Sequence, residues 1–378
     1  MKAYKTEIAP TSFQIELINK TFGCTRYIYN QFVFENLENL RLGNKFISAF
    51  DYSKRTNNDP KTPSWLKDVP SKAIKQSLIY ADRAFRDYFC KRKGKPKFKK
   101  KGSSESFYLT GTIKVERHLI FVPVLKWIKL KEFGYIPKNI SSVTISMKNG
   151  RYYISCLCKD EVDERIPLSN YIMGIDFGLK DQFITEDRVI PSINRTSRIK
   201  KLEQRLCREQ RKLSRKYEAN MFDKVYYKTG AKKGQLKSYK WLKPLFECKN
   251  IQKQNLKVAR IYERLTRIRT ENNRKALRSL VLERKPSSIV IEDLAVRNLM
   301  KNRHLSKAIS KAQWYQSRLY LEKLCKKLGI ELRLVDRFYP SSKLCSDCGF
   351  KHKDLKLSER FWTCSNCGSE HDRDKNAA

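Results

Sequence analysis

The chain has 378 residues, 40% of them hydrophobic, enough for two or three domains with buried cores. Its 81 lysines and arginines against 39 aspartates and glutamates leave a net charge of +42, a one-sign excess that points to a polyanionic partner. No apolar run of about 18 residues, lipidation signal or secretion leader stands out, which argues against a membrane surface as that partner. A cytoplasmic protein with reduced thiols, acting at the nucleoid, is expected.

In chain order, residues 2 to 9 read as a strand, after which Pro10 and Thr11 open a helix with Thr11-x-x-Gln14 as a capping box. Phe13, Leu17, Phe22, Tyr27, Ile28, Phe32 and Phe34 predict packed helices up to about residue 42. A further helix follows Pro70 and Ser71, with Ile74, Leu78, Ala81, Phe85 and Phe89 on one face and Lys72, Gln76, Arg83 and Arg86 on the other. The basic run 91–101, broken by Gly94, Pro96 and Phe98, reads as a loop touching phosphate. From about 106 to 158 the pattern is strand-like, with 143–147 and 151–156 joined by the hairpin dipeptide Asn149-Gly150. Strands on both sides of the helices predict a β-domain split by a helical insertion, ending near 161–170.

Residues 171–190 read as strand, turn, strand, and two Lys/Arg-rich helices over 199–216 and 250–284 are predicted to pair antiparallel. Between them 222–243 is expected as a mobile basic loop. A buried strand at 287–293, a helix over 311–328 and a strand at 330–335 follow.

Two motifs carry chemistry. Cys345-x-x-Cys348 and Cys364-x-x-Cys367, each followed by a glycine, have the spacing of a zinc ribbon, and four thiolates leave no open coordination position, so the zinc is structural. The other seven cysteines are scattered and read as ordinary thiols. Three carboxylates stand out as well. Asp176 ends an apolar strand in Gly174-Ile-Asp-Phe-Gly178, whose glycines would let a ligand or metal approach the backbone; Glu292 ends Ile289-Val-Ile-Glu; Asp374 follows the ribbon. Carboxylates at the ends of buried strands are costly unless a cation holds them, and oxygen donors of this kind suit magnesium.

Gly174-Ile-Asp176-Phe-Gly, Ile291-Glu292-Asp-Leu and Asp372-Arg-Asp374-Lys-Asn-Ala-Ala, interleaved with the two Cys-x-x-Cys-Gly knuckles, closely resemble the TnpB family, transposon-encoded nucleases related to type V CRISPR effectors. The resemblance covers essentially the whole chain. It implies an α/β multidomain protein: a ribonuclease H-like RuvC nuclease domain (166–344 and 371–378) with an inserted zinc ribbon (345–370), and a wedge-like β-barrel domain (1–10 and 91–165) carrying a helical recognition insertion (11–90). It further implies an endonuclease that carries one transposon-derived noncoding guide RNA, as a monomer, and cuts double-stranded DNA beside a short adjacent motif. Asp176, Glu292 and Asp374 would be its catalytic acids, holding two magnesium ions beside the structural zinc; Asp372 matches the family's acid less well, and His371 would be structural or phosphate-facing. For the adjacent motif, Lys72, Lys75 and Gln76 can reach base edges, though plain phosphate contacts fit them equally well; Arg83, Lys97, Lys99 and Thr110 are further contact candidates. A guide-directed DNA-binding repressor that does not cut is the alternative. Members of the family usually continue past Asn-Ala-Ala into a further helix, whereas this sequence ends at Ala378, so either a longer natural protein or reduced activity is expected.

Overall fold

The structure, a computed structural model, describes all residues except 104, 160–164, 338, 353, 357, 358, 377 and 378, and the backbone alone of residue 374. The chain divides into two compact units, Met1–Val162 and Asp163–Ala378. The first four residues of the boundary stretch expected at 161–170 lie outside the described residues.

The first unit begins with β1 (Lys2–Ala9) and α1 (Ser12–Arg41), whose capping box is fully formed: Gln14 N donates to Thr11 Oγ1 and Thr11 N to Gln14 Oε1. Gln14 also donates from Nε2 to the carbonyls of Leu125 and Trp127, at 2.9 and 2.8 Å, so the same side chain ties the helix start to the sheet. Where several packed helices were expected up to residue 42, α1 is one continuous helix of 30 residues, and Phe13 and Phe34 lie on its solvent face. Helices α2 (Ala49–Asn58) and α3 (Ser71–Phe89) pack against it through Phe32, Tyr52, Leu78, Ala81 and Phe85.

Six further strands follow: β2 (Glu105–Leu109), β3 (Lys114–Glu116), β4 (Leu119–Val122), β5 (Lys126–Leu130), β6 (Ile140–Lys148) and β7 (Arg151–Cys158). With β1 they form one antiparallel sheet in the order β2-β6-β7-β1-β5-β4-β3. The β6–β7 hairpin turns at Asn149 and Gly150, with φ of 52° and 68°, as the dipeptide predicts. The expected barrel is not closed. Among the described residues β2 and β3 are the two edges of an open ladder, and β3 is only three residues long, too short to offer β2 a useful row of backbone groups.

The second unit opens with β8 (Ile172–Ile175), β9 (Asp181–Ile184) and β10 (Val189–Pro191), then α4 (Ser197–Ala219). The stretch 222–243, expected as a loop, holds a hairpin of β11 (Met221–Tyr226) and β12 (Leu236–Trp241). Its strands are exposed apart from Met221 and Trp241 and lack an alternating apolar face, which is why the pattern did not announce them. Helix α5 (Lys249–Arg284) returns antiparallel to α4, the two meeting at Ile199, Leu206, Val258, Ile261 and Leu265. Next come β13 (Ser288–Glu292), α6 (Val296–Leu299), α7 (Ser306–Ala312), α8 (Trp314–Leu328) and β14 (Glu331–Val335). The helix expected over 311–328 is broken at Gln313, which is left-handed at φ 59° and accepts a hydrogen bond from Thr270 Oγ1. The chain closes with β15 (Phe361–Thr363), β16 (Glu370–Asp372) and α9 (Arg373–Asn376).

Strand β13 lies between β8 and β14, parallel to both. An antiparallel bridge between Asp176 and Ile184 attaches β9, and β10 pairs with β9, giving the spatial order β10-β9-β8-β13-β14. Leu277, Leu280 and Val281 of α5 and Leu321, Leu324 and Leu328 of α8 cover this sheet.

The tight β8–β9 turn also explains Gly178. A Cβ there would sit 2.3 Å from the carbonyl oxygen of Asp181, and its own carbonyl accepts Trp314 Nε1 at 3.1 Å. The glycine is needed for backbone packing within the turn. Gly178→Ala should therefore cost about 1–3 kcal/mol of stability. A denaturation midpoint unchanged from wild type would refute that.

Candidate functional site

The register pairs Ile291 with Ile175, and Glu292 and Asp176 are the next residues, at the carboxyl ends of adjacent parallel strands. Neighbouring strands lie about 4.8 Å apart, and paired residues share a face of the pleat. Both carboxylates are half-buried and line one cleft of about 740 Å³ with Val335, Tyr339, Ser341, Leu344 and Asn376. Carboxyl ends of parallel strands are where open α/β sheets place their ligands.

Ser341 donates from Oγ to Glu292 Oε1 at 2.7 Å, fixing the orientation of that carboxylate. The next residue, Asp293, is occupied elsewhere: Arg318 at 2.5 Å and Arg337 at 2.7 Å hold its carboxyl below the usual carboxylate range, Arg318 first. It is an anchor for two guanidiniums and no candidate metal ligand.

The third sequence-selected acid lies on α9. The side chain of Asp374, with Ala377 and Ala378, lies outside the described residues; the backbone of the helix spans Arg373–Asn376. Asn376 donates to the carbonyl of Leu344 at 2.6 Å and accepts from the amide of Ser346 at 3.0 Å, clamping α9 to the first cysteine knuckle beside the cleft. Asp372 accepts from the amide of Lys375 at 3.2 Å and thus caps α9. Sequence reasoning missed Ser341 and Asn376 as elements of the site, because nothing in their neighbourhood along the chain marks a polar residue that acts across the fold.

All four cysteine sulfurs of the knuckles lie within 4.8 Å of one another, with Cys345–Cys367 and Cys348–Cys364 each 3.6 Å apart. Sulfurs bound at about 2.3 Å around a tetrahedral zinc stand close to that distance from each other, so the donor set fits zinc and closes the site. Gly349 and Gly368 make the left-handed turns that end the knuckles, with φ of 72° and 76°. Hydrogen bonding by the Ser369 hydroxyl and backbone lowers the Cys367 thiol to about 6, whereas burial pushes Cys345 up to about 12. The buried His371 places Nε2 3.0 Å from Cys345 Sγ and stacks on Trp362, so it serves the ribbon.

In the first unit, Lys72, Lys75, Gln76 and Arg83 are carried on α3. Lys72 Nζ donates to the carbonyl of Thr110 at 3.2 Å, bringing two of the proposed contact residues together. Lys75 and Arg83 line a groove of about 710 Å³ between α2 and α3, with the exposed Phe50 and Ile79. Lys99 is fastened to α1 through reciprocal hydrogen bonds of its backbone with Asn30, and its ammonium lies 4.0 Å from the Tyr29 ring centre. Lys97 is exposed in the same loop. Among the described residues no helix is long and apolar enough to cross a membrane.

Comparison with known proteins covers the whole chain. A family model described as "Cas12f1-like, TNB domain" matches residues 314–378, and an OrfB IS605 model described as "Helix-turn-helix domain" matches residues 1–45, where this structure has β1 and the single helix α1. A Streptomyces pristinaespiralis protein named "Putative RNA-guided DNA endonuclease" is 31% identical over 388 residues, covering 100% of this chain and 87% of that protein. Its Escherichia coli K12 counterpart InsQ, under the same description, is 27% identical over 96% of this chain and 87% of its own length. Among solved structures, a Cas12f1–sgRNA–target DNA complex superposes with a TM-score of 0.54 at 14% identity, over 96% of this chain and 82% of that one. The mini-RNA-guided endonuclease CRISPR-Cas_phi3 gives 0.52 at 11% identity, over 99% and 90%. These two share the mixed α/β multidomain fold. Identity at this level, sustained from the first residue to the last, places the chain in the TnpB (OrfB, IS605) family of RNA-guided DNA endonucleases.

Proposed function

We propose that this chain carries a guide RNA and cuts double-stranded DNA beside a short adjacent motif, with Asp176, Glu292 and Asp374 as the acids of a magnesium-dependent, RuvC-type ribonuclease H site. The observation that carries this reading is the meeting of Asp176 and Glu292 at neighbouring strand ends in one cleft, against which Asn376 clamps α9. The order β10-β9-β8-β13-β14, three antiparallel strands followed by two parallel ones, supports the ribonuclease H assignment.

The carboxylates offer the hard oxygen donors that magnesium prefers, and Asp176 and Glu292 with Asp374 would hold it. When bound, two such ions supply the positive charge that makes water a nucleophile and steadies the leaving oxygen of a phosphodiester. The chain's own part is to hold the acids: Ser341 orients Glu292, the Asp176–Ile184 bridge fixes the backbone of Asp176, and the Asn376 clamp sets α9. Zinc in the four-thiolate site would be structural, keeping the knuckle to which that clamp attaches.

The wedge-like part would be the sheet of β1 to β7, with α1 to α3 as the recognition insertion within 11–90. The nuclease would comprise 166–344 and 371–378, and the ribbon 345–370. Guide pairing selects the target, and Lys72, Lys75, Gln76, Arg83, Lys97, Lys99 and Thr110 would contact DNA, with one RNA per monomer.

The test is to co-express the chain with its flanking transposon sequence, identify the RNA that copurifies, and offer plasmids that match it beside randomised flanks. Magnesium-dependent cutting that enriches one flank is the expected result. Guided binding without cutting would instead make the protein a repressor. In the same assay Ser341→Ala should slow cutting about 10- to 100-fold and raise the magnesium concentration needed for half-maximal rate, because an unfixed Glu292 binds metal less well. Slower cutting at an unchanged magnesium requirement would reject that positioning role.

A further inference from the structure

The hairpin between α4 and α5 takes no part in the cleft, yet its base is firmly built. Asn220, at the end of α4, donates to the carbonyl of Lys243 at 2.8 Å and accepts its amide at 3.1 Å. The Trp241 ring packs on Tyr217 of α4, with centroids 5.8 Å apart, and on Tyr239 at 4.8 Å. A bulge at Asp223, left-handed at φ 51°, shifts the register between Phe222 and Val225.

Beyond that base the ribbon lies open among the described residues of its unit. Every residue of the two strands is exposed apart from the half-buried Met221 and Trp241, and Phe222, Val225, Tyr226 and Tyr239 are each 40–49% accessible. A two-stranded ribbon with no core of its own is marginal in water, and exposed aromatic surface of this kind marks a contact. Six lysines lie between Met221 and Trp241 against one acid, Asp223, which Lys240 already neutralises at 2.8 Å. Lys232 and Lys237 hold their ammoniums 5.8 and 6.0 Å from the Tyr227 ring centre. Lysines for phosphate interleaved with tyrosine faces for unstacked bases are the chemistry of RNA recognition.

We propose that the β11–β12 hairpin is a docking arm for the guide RNA, gripping a structured part of it away from the segment that pairs with target. The proposal rests on the RNA-guided reading above. Two features select RNA over target DNA. The core of the sheet packs on the last turns of α5, at Leu277, Leu280 and Val281, whereas the hairpin joins its first turn, some 30 residues and roughly 45 Å away along the helix. That length of helix sets the arm apart from the sheet whose strand ends carry Asp176 and Glu292. Target DNA is also met only on encounter, whereas exposed aromatic side chains on a ribbon with no core of its own favour a partner carried for most of the protein's life.

The full-length chain tests this, with Lys224, Lys228, Lys232 and Lys233 changed to Gln in one variant and Tyr226→Ala with Tyr227→Ala in another. The probe is the RNA that copurifies with wild type, transcribed again in vitro. Each variant should bind it about tenfold or more weakly, and the lysine variant should lose about three from the slope of log affinity against log salt. Melting temperature of the RNA-free chain, zinc content and cutting rate at saturating RNA should match wild type. Wild-type RNA affinity and salt slope in both variants would overturn the arm while leaving the guided nuclease intact. Unchanged RNA affinity with weakened binding of target duplex would overturn it in favour of DNA. A wild-type chain that copurifies with no discrete RNA would overturn both readings together.

Discussion

Replacing Asp176 with alanine should reduce magnesium-dependent cutting by about 10³-fold or more while guided binding to the target stays close to wild type. The carboxylate stands at the end of β8 in the cleft with Glu292, and on the proposed reading its loss would remove a metal ligand, worth several kcal/mol of charge stabilisation. On the same reading duplex and RNA would be gripped by phosphate contacts spread over the basic surface, to which an acid contributes nothing favourable. Filter binding and cleavage kinetics on the same RNA-loaded preparation separate the two quantities. A variant that folds as wild type but loses target binding along with cutting would remove Asp176 from the metal site and give it a structural part.

The second large effect is expected at the ribbon. Changing Cys345 and Cys348 to serine leaves two thiolates, too few to hold a structural zinc whose binding supplies on the order of 10 kcal/mol to folding in small zinc domains. The damage should not stay local. Leu344 and Ser346, the neighbours of Cys345, are the residues that Asn376 clamps, so loosening the knuckle frees α9 and with it Asp374. Zinc content by mass spectrometry should fall from one equivalent to none, cutting should fall with it, and hydrogen exchange should rise across 341–376 while β8 and β13 stay protected. Full zinc with full activity in the double variant would refute the closed four-thiolate site.

Much of the fold was legible because it obeys local rules. Thr11 and Gln14 form the capping box, Asn149-Gly150 makes the hairpin, and the apolar runs 172–175 and 288–291 become the central parallel strands. Signals that depend on distant packing were not legible. Phe13 and Phe34 have the side chains of a core yet lie outside it, and Gln313 breaks a helix whose sequence gives no break, through a bond to Thr270 on α5. The open ladder was missed for a similar reason, since whether edges meet is set by strand lengths and register and not by composition. For the site, strand-end acids in apolar context and paired cysteine knuckles were visible, and the roles of the acids came from resemblance. Ser341 and Asn376 were invisible because hydroxyl and amide side chains are common everywhere; only contacts with Glu292 and Leu344, 49 and 32 positions away, mark them.

The cleft draws its lining from Ile175 at one extreme and Asn376 at the other, with Glu292 between them. At roughly 5–20 residues per second of synthesis, about 200 positions correspond to some 10–40 s during which a nascent chain has emitted its first acid but has no complete cleft. The first unit, Met1–Val162, has left the ribosome before that interval begins. Birth order thus imposes a sequence on every copy: a strongly basic module is complete before the cleft is. A ribosome that stalls before residue 376 releases a polypeptide without the clamp that sets α9, so premature termination yields the basic module without a complete cleft.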